Sequence, residues 1–129
     1  MARAPTNSLY VIFLRLAPAF TANIARPGVM DAVAAAAREG RTPAPEALIA
    51  LGVAADFARV FVERLGYLIE LREAGVLRAA GPFDDLTEGI YICNVRDASE
   101  ARRILERDPL YRAGFIEPDV VIRRWLAAI

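Results

Sequence analysis

At 129 residues, 56% of them hydrophobic and 25% charged, the chain has the length of one domain, 1–129, and more apolar side chain than a small interior readily hides. Its 16 basic residues, all arginine, are balanced by 16 acidic ones, so nothing resembles a basic footprint for nucleic acid. One cysteine, Cys93, and no histidine exclude a disulfide framework within the chain, the common zinc-site spacings and every Ser-His or Cys-His device.

Residues 9–16 are apolar at both parities. Leu9, Val11 and Phe13 fall on one face and Tyr10, Ile12, Leu14 and Leu16 on the other, which predicts a strand covered on both sides. The preceding MARAPTNS has no signal-peptide layout, and the apolar runs 9–14 and 32–37 are far short of a membrane span. A cytoplasmic protein without a membrane partner is therefore expected. Residues 17–53 predict an inserted helical excursion. Pro27 occupies the first turn of a helix running to about Glu39, with Val29, Met30, Val33 and Ala37 on one side and Gly40 ending it; Pro45 opens a shorter helix through Leu51. The apolar content of this excursion predicts packing at a pocket mouth or a dimer edge, not a solvated linker.

The main helix spans roughly 54–74, and Gly75 suits the left-handed position just past its end. Residues 76–83 predict a short strand, DDLTEG (84–89) a hairpin loop, and 90–95 the returning strand. Asp97 is placed to cap the next helix, with Glu100 completing a capping box, and Ala101, Ile104 and Leu105 point inward. That helix ends near Arg107. DPLYRAG (108–114) reads as a separate tight turn and 120–125 as the last strand. The order β-α-β-β-α-β predicts an α+β, ferredoxin-like fold. Two helices cover one face of such a sheet, and the strands carry apolar residues on the other as well. Self-association through that face predicts a homodimer.

Within the main helix, Phe57, Val60, Phe61, Leu68 and Leu71 recur at three- and four-residue steps, the spacing of a core-facing stripe. Arg64 interrupts it. YLIELREAGVLRAAGPF, GIYICNV, SEARRILERDPLYRAGF and VVIRRW, in that order, closely resemble the YciI-like (YCII-related) proteins of the dimeric α+β barrel superfamily. The resemblance covers about 9–16 and 54–125 and leaves out the excursion at 17–53. It implies a small-molecule site formed by a histidine on the first helix and an aspartate in the Asp-Pro step. One branch of the family resembles a dehydrochlorinase acting on chlorinated hydroxyquinols. Here the aspartate position is Asp108, and the histidine position, eleven residues before Gly75, is Arg64.

Arginine stays protonated at physiological pH, so it binds or polarises an anion without shuttling a proton. Two readings follow from the resemblance. In one, the protein is a lyase or isomerase on a cyclic or aromatic substrate, Asp108 transferring the proton and Arg64 stabilising charge. In the other, it is a binding or assembly module that has lost catalysis. No cofactor or metal is expected in either.

Each residue also has a plainer reading. Arg64 can cover apolar surface with its stem while its head reaches water. Asp108, followed by Pro109, is a natural N-cap. Tyr67, Tyr91 and Tyr111 are potential phenolic donors and equally amphipathic packing residues; Tyr111, three residues after Asp108, is the foremost ligand candidate, with Tyr67 beside it. Cys93 reads as a small core residue. Arg15, Arg78 and Arg124 interrupt strand alternation at a pocket, an interface or an edge, and Trp125 anchors packing or the dimer.

Overall fold

A computed structural model describes residues 6–128, with β1 (Ser8–Arg15) as an inner strand of a four-stranded sheet. Its register assigns the two faces. Ile12 lies opposite Tyr91, and Tyr10 opposite Cys93, on the side that the helices cover. Val11 lies opposite Ile92, and Phe13 opposite Ile90, on the open side. β2 (Leu77–Pro82) and β3 (Glu88–Val95) form a hairpin, and β4 (Val121–Trp125) pairs with the other edge of β1. The order β2-β3-β1-β4 inserts a strand into each β-α-β unit, the ferredoxin-like arrangement expected from the element order.

α4 (Ala55–Glu73) is the long helix behind the sheet. The chain leaves it at Gly75, whose φ of 76° lies in the left-handed region that only glycine enters without strain. α5 (Ala98–Glu106) starts at Asp97, whose carboxylate accepts the Glu100 N–H at 2.8 Å. Glu100 reaches back to the Arg96 N–H at 3.3 Å, one residue earlier than a capping box requires.

The excursion is three helices: α1 (Pro18–Ile24), α2 (Val29–Arg38) and α3 (Pro45–Ala50). α3 opens at Pro45 as expected. α2 starts later than Pro27, because Gly28 at φ 84° takes the N-cap and the Val29 N–H closes a turn onto the Arg26 carbonyl. Pro27 therefore lies in the turn, outside the helix. Its inner face is Val29, Val33 and Ala36, with Ala37 turned partly outward. α1 has no counterpart among the expected helices; Pro18 opens it, and Phe20 and Ile24, one turn apart, are both buried.

The excursion is fastened to the body by side chains as well as by packing. Asn23 Oδ1 accepts the Ala54 N–H at 2.8 Å, and Thr21 Oγ1 donates to the Leu86 carbonyl at 2.6 Å. Phe20 meets Phe57 and Phe61 edge-on, with ring centres 5.5 and 6.0 Å apart. Phe20, Ile24, Leu48 and Val53 thus belong to the same core as α4 and the sheet. No helix among the described residues is long and apolar enough to cross a membrane.

Candidate functional site

Helical spacing turns Phe57, Phe61, Arg64 and Leu68 toward the interior together, so Arg64 is carried inward by its neighbours on α4. It is 7% exposed, while Asp108 and Tyr91 are 0% exposed. These three side chains form one cluster. Arg64 Nε and Nη2 donate to the Tyr91 hydroxyl at 3.0 and 2.6 Å, and that hydroxyl donates to Asp108 Oδ2. Arg64 Nε is also 3.5 Å from Asp108 Oδ2. Asp108 Oδ1 accepts the Leu110 N–H at 2.8 Å, as the N-cap of α6 (Pro109–Arg112). Capping and ion pairing therefore hold at once.

The Phe20 and Tyr91 ring centres lie 5.8 and 5.3 Å from the guanidinium carbon, adding cation–π attraction. Burial opposes the Arg64 charge, yet Tyr91 and Asp108 outweigh it and hold the guanidinium above its ordinary pKa. Burial pushes the Tyr91 phenol far up, Asp108 reinforces that shift, and Arg64 opposes it. Arg64 is a fixed cation and Tyr91 a fixed phenol.

Sequence proximity pointed to Tyr111, but the bridging phenol is Tyr91. Tyr111 packs, partly buried, against the core. The Tyr67 hydroxyl donates to the Ile104 carbonyl at 2.7 Å, and burial pushes its pKa up to about 12. Strand parity was the signal available for Tyr91: it shares a face with Cys93, and the β1–β3 register turns that face to the helices. Cys93 is buried, its thiol pushed up to about 11 by burial. Arg15 pairs with Asp119 at 3.2 Å on the surface. Among the described residues, no group of three or more histidine, cysteine, aspartate or glutamate side chains gathers as a metal site.

Arg64 also lines a cavity of about 90 Å³, with Phe20, Ile24, Met30 and Val33 of the excursion and Gly81 of β2. Neither Tyr91 nor Asp108 lines it. Arg64 Nε and Nη2 face Tyr91, whereas Nη1 donates to none of the described residues and keeps some access to solvent, since no fully buried side-chain nitrogen or oxygen among them lacks a partner. The chemistry on offer is a hydrogen-bonding cation at the wall of an apolar space.

A ferredoxin-like sheet, a long covering helix and a charged cluster enclosed between them define a small α+β protein with an interior polar site. The YCII-related domain model matches residues 42–126, and the chain belongs to that family. The match takes in α3, which the resemblance had left aside, and leaves β1 outside. No curated protein matches the chain. Among solved structures, the chain is similar to 5-chloro-2-hydroxyhydroquinone dehydrochlorinase from Burkholderia phenoliruptrix AC1100, in complex with 2,5-dihydroxybenzoquinone. Identity is 19%, with 91% of this chain and 92% of that chain covered and a TM-score of 0.49.

Proposed function

We propose that this is a small-molecule-binding protein in which Arg64 receives an anionic or carbonyl oxygen of the ligand. Asp108, directly and through Tyr91, holds the guanidinium in place. One observation carries this reading: Arg64 alone of the cluster lines the cavity and keeps Nη1 uncommitted, while both Asp108 oxygens are engaged in a fully buried site. Such an arrangement binds and polarises an oxygen; it has no exposed acid or base to move a proton.

The catalytic reading is supported by the Tyr91–Asp108 contact, which gives a phenol a carboxylate partner. Under it, the protein is a lyase or isomerase on a cyclic or aromatic substrate. Arg64 stabilises the developing oxyanion and Asp108 is the proton-transfer group. Titration calorimetry with benzoate and benzamide tests the binding reading. Benzoate is expected to bind more tightly, with the preference lost in the Arg64→Gln/Asp108→Asn double variant; equal binding of the two probes would refute it. Deuterium exchange from solvent into cyclohexanone at neutral pH, accelerated by the protein and lost in Asp108→Asn, would instead establish proton-transfer catalysis.

The open sheet face supports a homodimer. Phe13, Trp125 and Val121 are 43%, 47% and 54% exposed on the single chain, and Val11, Phe13, Ile90, Ile92 and Trp125 line a shallow hollow there. Two copies meeting on this face would remove that apolar surface from water and close the sheets into a barrel.

A further inference from the structure

Beside the Arg64 cavity lies a second hollow, of about 350 Å³, bounded by α2, α4 and the edge strand β2. Met30, Val33, Leu65, Leu68 and Ala80 line both, so the two spaces share walls. Met30 is unbranched and adaptable, a side chain that shifts readily to join them. No aromatic ring lines the second hollow; its walls are aliphatic, with alanines at 34, 37, 79 and 80 leaving room along its length. The two linings together carry Arg64, Arg72 and Arg78 and no acidic side chain. Arg72 and Arg78 are exposed, Arg72 donating to the Ala37 carbonyl at 3.4 Å, whereas Arg64 sits inside.

We propose that the two hollows form one slot for an amphiphilic monoanion, its carboxylate on Arg64 and its aliphatic chain running under α2 along the larger hollow. The proposal rests on the Arg64 reading above and adds the body of the ligand. A purely apolar ligand would take water away from Nη1 without offering it an acceptor, and a cation would face arginines alone. A carboxylate with a saturated chain satisfies both ends of the slot. The excursion is then the element that sets ligand class, because α2 supplies one long wall.

Straight-chain carboxylates from butanoate to decanoate, with the matching primary alcohols as uncharged controls, test this by calorimetry and NMR titration of the intact protein. Affinity should rise about fourfold for each added methylene until the slot is filled, and alcohols should bind at least tenfold more weakly, on the order of one charge-assisted hydrogen bond. Ala34→Phe, which obstructs the larger hollow away from Arg64, should abolish the rise with chain length while butanoate still binds. Ala79→Phe does the same from the β2 side if the α2 variant folds poorly. A flat chain-length series, or a rise that survives both obstructing variants, would overturn the slot while leaving the Arg64 reading standing. A carboxylate-over-alcohol preference that persists unchanged in Arg64→Gln/Asp108→Asn would overturn the Arg64 reading, and with it the placement of the carboxylate.

Discussion

Arg64 and Asp108 are each tolerable in the interior only because the other is present. Arg64→Ala leaves the Asp108 carboxylate buried without its countercharge, a loss of about 3–5 kcal/mol for a buried pair. Adding Asp108→Asn removes the stranded charge, so the double variant should be more stable than Arg64→Ala alone; urea unfolding midpoints measure the coupling. A surface pair would couple by under about 1 kcal/mol. Tyr91→Phe removes the hydroxyl that joins the two and should cost about 1–3 kcal/mol. Gly89 is constrained for a different reason. A Cβ there would stand 2.7 Å from the Gly81 carbonyl oxygen and 3.1 Å from Pro82 Cα, both backbone atoms of the paired strand. Gly89→Ala should therefore destabilise by about 1–3 kcal/mol through overpacking, read from the same midpoints.

The excursion α1–α3 behaves as part of the core. Phe20 touches two α4 phenylalanines and the guanidinium, so Phe20→Ala should cost about 3–5 kcal/mol and loosen the Arg64 cavity as well. Limited proteolysis of the native protein should leave residues 18–50 intact, since the inner faces of these helices are buried and two side-chain hydrogen bonds tie them to the α4 start and the hairpin loop. Early cleavage throughout that stretch would contradict the packing described. Helix boundaries here were legible where a proline begins a helix and illegible where it does not. Pro45 opens α3, but Pro27 is overruled by the left-handed Gly28 that follows it. α1 escaped notice because seven residues with two buried apolar side chains give too little periodicity to read.

As a whole molecule, the protein should sediment as a homodimer at micromolar concentration. Phe13→Arg, on the open face, should give a folded monomer with unchanged far-ultraviolet circular dichroism; a wild-type monomer would refute the barrel assembly. Alkaline pH should weaken the fold. Burial raises Cys93 from 9.0 to about 11 and Tyr67 from 10.0 to about 12, so the unfolded chain releases both protons at lower pH than the native one. Stability from these groups is full below about pH 9 and falls as pH rises toward about 12. Urea midpoints should decline across that window, and Cys93→Ala should remove the earlier part of the decline.

Sequence alone determined the strands and the helices α2 to α5 in their order, the Gly75 helix end, the Asp97 cap and the odd placement of Arg64, because each is written in local periodicity or turn chemistry. It also assigned Asp108 its capping role, which Pro109 announces. The contact between positions 64, 91 and 108 is of another kind. It exists because sheet order places β3 beside β1, β1–β3 register turns Tyr91 toward α4, and the N-cap of α6, Asp108, lies against the Tyr91 hydroxyl. Local signals decide what each segment becomes. Only tertiary packing decided which of the three tyrosines meets the ion pair, since contact there depends on distance in space and not on distance along the chain.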